Sequence, residues 1–184
     1  MMLPNQIKEK ARNISLMIFD VDGVLTDGTL VYGVNGEELK HFNVKDGVGI
    51  KLLETYGIRV AIISAKDSAP LRKRISDLGI SHVYLACKDK VAALNALTSK
   101  LKLENDQVAY CGDDVIDLKV MKEIGLAIAP SDAYEMVKKH AHYVTNALGG
   151  KGVAREVADV LLSSRMDLER AYIKAMLPEF ENKK

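Results

Sequence analysis

Three short runs of apolar residues constrain the fold of this chain more than any other feature of its sequence. They occupy residues 15–19, 59–63 and 108–111, and none shows the alternation of apolar and polar residues that is typical of a half-exposed strand. Continuous apolar runs of this length predict strands that are buried on both faces, as in a parallel sheet covered by helices. Shorter strand candidates follow at residues 82–85, 125–128 and 143–145.

Amphipathic stretches with helical spacing lie between these runs. The predicted helices cover residues 47–56, 69–78, 90–101, 116–124, 133–139, 153–162 and 167–176. Strands that alternate with helices in this way predict an α/β fold with a doubly wound, mostly parallel sheet. The length of 184 residues, without a repeat or a linker, predicts a single domain over residues 1–184, which ends in a C-terminal helix and tail at 165–184.

One segment interrupts the alternation of strands and helices. Two short runs at residues 29–33 and 37–42 flank Val34-Asn35-Gly36, and Asn-Gly is a strong signal for a β-hairpin. A two-stranded hairpin is marginally stable in isolation, and this one carries apolar side chains. We therefore expect the hairpin over residues 29–42 to lie against a neighbouring subunit.

The overall charge and the cysteines restrict the possible partners and location. The formal net charge is +1, which gives no electrostatic reason to expect nucleic acid or a membrane surface as a partner. The two cysteines, Cys87 and Cys111, are far apart in sequence and predict free thiols in a reducing compartment. The polar N-terminus does not resemble a signal peptide, and no apolar run approaches the roughly 20 residues that cross a bilayer. We expect a cytoplasmic protein.

Two aspartates follow the first buried run directly. Asp20 and Asp22 belong to the string Asp20-Val-Asp22-Gly23-Val-Leu-Thr26-Asp27-Gly28. An Asp-Gly turn with solvated acids would explain Asp-x-Asp alone. Like charges held this close repel and raise a pKa unless a cation or a proton separates their roles, so the longer string at a strand end favours a functional site.

Further polar residues follow the later strands in turn. Ser64 follows the second buried run, and Lys90 opens the predicted helix at 90–101. Asp113, Asp114 and Asp117 follow the strand at 108–111. Individually, Ser64 could be a helix cap, Lys90 a surface lysine, and the pair Asp113-Asp114 another helix cap. Together, in this order, they resemble the haloacid dehalogenase superfamily of phosphatases, whose pattern is Asp-x-Asp, Ser/Thr, Lys and Gly-Asp-Asp-x-x-Asp. The match spans residues 15–117.

This resemblance implies magnesium-dependent hydrolysis of a phosphate monoester through a phosphorylated aspartate. Asp20 would be the nucleophile and Asp22 the general acid and base. Magnesium prefers hard oxygen ligands, and phosphoryl transfer needs its charge neutralised. The carboxylates of Asp20 and Asp113 and the backbone carbonyl of Asp22 would bind the metal. The residues implied to bind phosphate or substrate are Asp22, Ser64, Ala65, Lys66 and Lys90. Asp117 and Asp114 would orient Lys90 or a metal-bound water.

A narrower resemblance follows from the absence of a cap domain. Residues 22–64 have room for the hairpin and one helix only, and residues 64–90 for one helix and one short strand. The strings at 22–28, 43–47, 71–80 and 149–156 resemble the uncapped sugar-acid phosphatases. That family implies a homotetramer that acts on 3-deoxy-D-manno-octulosonate 8-phosphate in lipopolysaccharide biosynthesis, with hairpins meeting at its centre. Its C-terminal tail can reach a neighbouring site, where Lys183 or Lys184 would add charge.

Three alternatives stay open. Ala65-Lys66 stands where that family usually has Gly-Arg, and lysine lacks the bidentate fork of arginine, so a nine-carbon sugar acid 9-phosphate is the alternative substrate. A phosphoaspartate receiver module also uses acids, Ser/Thr, Lys and magnesium, but Asp22 favours turnover over storage of the phosphate. A non-catalytic scaffold would be expected to lose Asp20 or Asp22.

Overall fold

The computed structural model describes residues 3–177 and residue 180. Six of its strands form one parallel sheet, and two more form a separate antiparallel hairpin. In chain order the strands are β1 (Leu16–Phe19), β2 (Val31–Gly33), β3 (Gly36–Leu39), β4 (Arg59–Ile63), β5 (His82–Tyr84), β6 (Val108–Cys111), β7 (Leu126–Ala129) and β8 (Tyr143–Val144).

The helices agree closely with those that the sequence predicts. They are α1 (Asn5–Asn13), α2 (Val44–Thr55), α3 (Ala69–Leu78), α4 (Lys90–Leu101), α5 (Leu118–Glu123), α6 (Glu135–His140), α7 (Val153–Ser163) and α8 (Leu168–Ala175). Short 3₁₀ turns occur at Asn105–Gln107 and Val115–Asp117. Within the described residues, no helix has both the length and the apolar character needed to cross a membrane.

Helix α1 is absent from the sequence-based prediction. Ile7 and Ala11 lie one turn apart on this helix, and both are buried in the hydrophobic core. Charged and polar residues fill the rest of the helix, so its apolar stripe is only these two positions wide. The polar composition of the segment therefore concealed a short amphipathic helix.

The order of the strands creates a crevice at the end of β1. The sheet runs β5-β4-β1-β6-β7-β8, so the chain moves outward from β1 first to one side and then to the other. Phe19, the last residue of β1, is in register with Ile62 of β4 and Cys111 of β6. The segments that follow these three strands therefore diverge from neighbouring points, which is where open α/β sheets bind ligands.

Two hydrophobic clusters cover the two faces of the sheet. Along β1, Met17 and Phe19 join the cluster with α1, α2, α3 and α7, whereas Leu16 and Ile18 join the cluster with α4, α5 and α6. All four residues of β1 are fully buried. This arrangement confirms the predicted doubly wound α/β fold and explains why the first strand shows no polar alternation.

The hairpin is shorter than the sequence predicts, and its turn differs. Gly33 pairs with Gly36, so Val34 and Asn35 form the loop, and only Gly36 has a positive φ, of 105°. The predicted hairpin is therefore confirmed, and its loop is one residue shorter than predicted because Gly36 begins β3. The side chains of Leu30, Tyr32, Val34 and Leu39 are exposed. Between β1 and β4 the chain forms just this hairpin and α2.

Candidate active site

The crevice at the end of β1 gathers the polar side chains that the sequence singles out. A cleft of about 260 Å³ is lined by residues from three strand ends and from the segment before the hairpin. Lys90 and Asp117 lie beneath it, where they are buried. The predicted residues that line this cleft are Asp20, Asp22, Ser64, Ala65, Lys66, Asp113 and Asp114.

Lys90 forms the charged centre of the site. Its Nζ lies 2.7 Å from Oδ2 of Asp20 and 2.7 Å from Oδ1 of Asp117, and 3.2 Å from the hydroxyl of Tyr110. Asp89 caps α4 by accepting hydrogen bonds from its first amides, which fixes Lys90 at the first position of the helix. Burial alone would lower the pKa of Lys90, but its contacts with Asp20 and Asp117 raise it. Lys90 is therefore a buried, paired cation, and the surface-lysine interpretation is wrong.

Both carboxylate oxygens of Asp117 are used in holding the site together. Oδ1 accepts hydrogen bonds from Lys90 and from the Tyr110 hydroxyl, which is 2.7 Å away. Oδ2 accepts from the backbone amides of Asp113 and Asp114, at 3.1 and 3.3 Å. Asp117 thus orients Lys90 and the loop after β6 at the same time. The carboxylate of Asp114 instead caps the following 3₁₀ turn, 2.7 Å from the amide of Val115, so the helix-cap interpretation is correct for this residue.

The acidic residues of the crevice form a compact cluster. Carboxylate oxygens of Asp20, Asp113 and Asp117 all lie within 4.8 Å of one another. Burial and the neighbouring carboxylates raise the pKa of Asp113 to about 7. Burial also raises the pKa of Asp20 to about 6, against the lowering effect of Lys90. Such a cluster is stabilised by a cation, and carboxylates are the ligands that magnesium prefers.

The residues present fit a magnesium ion. The carboxylates of Asp20 and Asp113 are the ligand candidates, because the oxygens of Asp117 are already engaged in hydrogen bonds. Gly23 makes room for Asp113, since a Cβ added at Gly23 would lie 2.0 Å from Oδ2 of Asp113. The glycine after the two aspartates is therefore required by the packing of the acidic cluster.

Asp22 faces the hairpin and not the buried lysine. Its Oδ1 contacts Nζ of Lys40 and lies 3.4 Å from the hydroxyl of Thr26. Its Oδ2 is covered and has no hydrogen-bond partner among the described residues. The sequence analysis missed Lys40, which directly follows β3. A lysine beside an apolar hairpin is a weak signal, because the sequence does not show which way the side chain points.

Ser64 and its neighbours form the opposite wall of the cleft. The hydroxyl of buried Ser64 accepts a hydrogen bond from the amide of Lys66 at 3.1 Å. Ser68, and not Ser64, directly precedes the first residue of α3, so the helix-cap interpretation of Ser64 is wrong. Ala65 and Lys66 are exposed at the surface of the cleft. Ala65 also lines an adjoining cleft of about 560 Å³, together with Lys90 and Lys119.

The glycines before α7 support the segment that carries the two aspartates. A Cβ added at Gly149 would lie 2.2 Å from the carbonyl oxygen of Gly23, and one at Gly150 would lie 2.6 Å from the amide of Asp27. Gly150 also donates a hydrogen bond to the carbonyl of Val24 at 2.9 Å. These glycines therefore permit a close approach to the loop after β1, residues 20–28, which is the candidate catalytic loop.

The fold and this arrangement of acids, serine and lysine define a haloacid dehalogenase-type hydrolase. The family of haloacid dehalogenase-like hydrolases matches residues 75–157 of the chain. A 3-deoxy-D-manno-octulosonate 8-phosphate phosphatase from Yersinia pestis is 46% identical over 167 residues, which cover 91% of this chain and 89% of that protein. The chain belongs to the family of 3-deoxy-D-manno-octulosonate 8-phosphate phosphatases, as the sequence resemblance implied.

Solved structures agree with this assignment. The crystal structure of the Yersinia pestis phosphatase has a TM-score of 0.88 at 45% identity, over 91% of this chain and 90% of that one. The phosphatase from Moraxella catarrhalis, solved in complex with a magnesium ion, a phosphate ion and a KDO molecule, has a TM-score of 0.89 at 39% identity. That likeness covers 95% of this chain and 100% of the other.

Proposed function

We propose that this protein hydrolyses 3-deoxy-D-manno-octulosonate 8-phosphate to the free sugar acid and inorganic phosphate, as a step in lipopolysaccharide biosynthesis. The observation that carries the proposal is the buried Lys90, paired with Asp20 and Asp117 beside Asp113. The choice of substrate is supported by the family of the chain, because its relative from Yersinia pestis is named as a phosphatase for this sugar phosphate.

The proposed reaction has two steps. An oxygen of Asp20 forms a bond to phosphorus while the bond between phosphorus and the sugar oxygen breaks, and Asp22 donates a proton to the leaving oxygen. Water then attacks the phosphorus of the aspartyl phosphate and gives a proton to Asp22. The bond between Asp20 and phosphorus breaks, which restores the carboxylate and releases phosphate. Asp22 returns to its protonated form, so no proton is left unaccounted for.

The other residues bind and position the phosphate. Magnesium would be held by the carboxylates of Asp20 and Asp113 and the backbone carbonyl of Asp22, and would supply positive charge next to the phosphate. The hydroxyl of Ser64, the backbone amides of Ala65 and Lys66, and the ammonium of Lys90 are the proposed phosphate contacts. Asp117 holds both Lys90 and the loop after β6, and Asp114 caps the 3₁₀ turn that follows this loop.

Substitution of the two aspartates tests the roles separately. Asp20→Asn should give no phosphoenzyme and no turnover, because an amide oxygen does not attack. Asp22→Asn should lower turnover by about 10²–10⁴-fold, since this is the usual contribution of general acid catalysis. The exposed Asp27, whose carboxylate accepts a hydrogen bond from the amide of Thr29, provides a matched control as Asp27→Asn.

The assay is phosphate release by enzyme stripped with EDTA and restored with magnesium. Many turnovers per wild-type chain are expected, in contrast to a receiver module, which stores one phosphate, or a scaffold, which releases none. Hydrolysis near the wild-type rate by either active-site variant would contradict the proposed mechanism.

The identity of the sugar requires a direct comparison of substrates. Lys66 lies at the surface of the cleft, where its charge can meet the carboxylate of the sugar acid. Lys66→Ala should therefore lower kcat/KM for the sugar phosphate more than for a small generic ester. If a nine-carbon sugar acid 9-phosphate gives a kcat/KM more than about tenfold higher than the eight-carbon substrate, about 1.4 kcal/mol, the nine-carbon compound is the substrate.

We further propose that the protein is a homotetramer whose hairpins form the contacts between subunits. The exposed apolar side chains of Leu30, Tyr32 and Leu39 support this, because such patches mark interfaces. A double variant, Tyr32→Ser with Leu39→Ser, should lower the mass that light scattering measures at micromolar concentration. A stable, fully active wild-type monomer would exclude the tetramer.

A role for the C-terminal tail in a neighbouring site is part of the same proposal. Helix α8 packs on the core through Ala171, so deletion after Arg165 would also disturb the fold. Deletion after Phe180 spares this helix and the buried side chain of Phe180, and it should change kcat and KM for the sugar phosphate only. Lys183 and Lys184 lie outside the described residues. We also propose one phosphatase domain over residues 1–184, a cytoplasmic location, and no nucleic acid or membrane partner.

A further inference from the structure

Lys40 connects the hairpin to Asp22. It directly follows β3, and its side chain turns away from solvent toward the catalytic loop. Nζ of Lys40 contacts Oδ1 of Asp22 and lies 2.5 Å from Oε1 of Glu37. The side chain of Lys40 is fully covered, that of Glu37 is 9% exposed, and that of Asp22 is 24% exposed.

This burial is unusual for a lysine on a small hairpin. Lysine side chains normally extend their ammonium group into water, and an ammonium taken out of water needs charged partners. The carboxylates of Asp22 and Glu37 are these charged partners of Lys40. The apolar side chains of the same hairpin, Leu30 and Tyr32 among them, are by contrast exposed.

The contacts of Asp22 distinguish its two carboxylate oxygens. Lys40 and the hydroxyl of Thr26 both approach Oδ1, and the Thr26 hydroxyl is in turn held by the amide of Gly28 at 3.2 Å. Oδ2 is covered and has no partner among the described residues. A carboxyl group that is held through one oxygen and covered at the other cannot rotate freely, so the partly exposed side chain of Asp22 keeps a fixed orientation in the lining of the cleft.

We propose that Lys40 is a positioning residue, which holds Asp22 through Oδ1 so that its carboxyl group is oriented to exchange the proton with the leaving oxygen of the substrate. This inference rests on the proposed function, because it assigns a support to the general acid of that reaction. It also makes the hairpin part of the catalytic apparatus, in addition to its proposed place in the subunit interface.

The test uses substrates that differ in their need for a proton. A series of aryl phosphates with leaving groups of increasing pKa requires increasing help from a general acid, whereas p-nitrophenyl phosphate requires little. For each full-length enzyme, log kcat/KM is plotted against the pKa of the leaving group. This ratio reports only the steps up to departure of the leaving group, and the aryl series avoids any contact between Lys40 and the sugar.

Lys40→Met should steepen this plot. We expect kcat/KM to fall by about 10–10²-fold for the poorest leaving groups, a loss that is part of the usual contribution of general acid catalysis. For p-nitrophenyl phosphate we expect kcat/KM to fall by less than about threefold. Lys45→Met is the matched control, since Lys45 is exposed and lies five residues further along. Lys45→Met should leave the slope of the plot unchanged. The fraction of folded tetramer should be the same as in the wild type for both variants.

Two results would overturn the inference: an equal loss for all leaving groups, which indicates a structural role only, or no loss at all. If Lys40→Met does not fold, Lys40→Leu, which also removes the donor to Asp22, is judged by the same criterion. Asp22→Asn distinguishes the proposed role of Asp22 from the proposed role of Lys40. If its slope equals that of the wild type, the proposed role of Asp22 fails; if its slope steepens and that of Lys40→Met does not, only the role of Lys40 fails.

Discussion

Asp46 provides a quantitative test of how burial and charge are balanced in this fold. It lies in the first turn of α2 and is only 3% exposed. Its Oδ1 accepts a hydrogen bond from the amide of Arg155 at 3.2 Å, so Asp46 binds the N-terminal turn of α7. Its Oδ2 is buried and has no hydrogen-bond partner among the residues that the structure describes. Burial raises the pKa of Asp46 to about 6, against the lowering effect of the backbone amides of α7 and of Arg74.

A raised pKa means that the folded state binds the proton more tightly than the unfolded state. The contribution of Asp46 to stability is therefore present at acid pH and is lost as the pH rises through about 6. The difference between the ordinary value of 3.8 and about 6 corresponds to about 3 kcal/mol at 1.36 kcal/mol per pKa unit. About 2 kcal/mol of this should be lost between pH 4.5 and pH 8.

Asp46→Asn should remove this pH dependence, because an amide has no proton to lose. The free energy of unfolding is measured by urea denaturation from pH 4.5 to 8, and the wild-type value is subtracted at each pH. The difference in the free energy of unfolding, variant minus wild type, should rise by about 2 kcal/mol from pH 4.5 to pH 8. Asp77→Asn, which changes an exposed carboxylate paired with Lys73, should give a nearly flat difference. A flat difference for Asp46→Asn as well would refute the assigned pKa.

Two further predictions concern backbone geometry. Gly149→Ala should lower both kcat and Tm, measured by phosphate release and thermal unfolding, because the new Cβ would lie 2.2 Å from the carbonyl oxygen of Gly23; an unchanged kcat would mean that the catalytic loop tolerates the displacement. Lys102→Gly should raise the free energy of unfolding by about 0.5–1 kcal/mol in urea denaturation, because exposed Lys102 ends α4 with a φ of 56°, where glycine is favoured. A decrease would mean that the Lys102 side chain makes a stabilising contact.

The sequence predicted the elements whose signals are local. The bounds of β4, β6, α3 and α4 agree with the prediction, because an apolar run or an amphipathic stretch between turn residues defines each of them. Ser64 and Asp113 also lie just beyond the ends of β4 and β6, as predicted, and Lys90 opens the helix that follows β5. Parallel strands bring these segments to one edge of the sheet.

The features that the sequence did not predict depend on distant partners. Lys40 acquires its role from Asp22, which lies 18 residues earlier in the chain, and neither residue type identifies the other. Helix α1 depends on burial of Ile7 and Ala11 against the core, a signal too narrow to outweigh its polar composition. The hairpin turn depends on the pairing of Gly33 with Gly36, which the Asn-Gly pair alone does not specify.

The site has to hold mutually repelling carboxylates without a cap domain, and the structure divides this task between two sides. On the inner side, Lys90 and the amides that bind Asp117 counter the repulsion around Asp20 and Asp113. On the outer side, Asp22 is held through Lys40, which belongs to the hairpin. A disturbance of the hairpin would therefore reach Asp22, the proposed proton donor, before it reached the proposed phosphate contacts. Since the proposed subunit interface uses the same hairpin, loss of assembly should impair departure of the leaving group more than binding of phosphate.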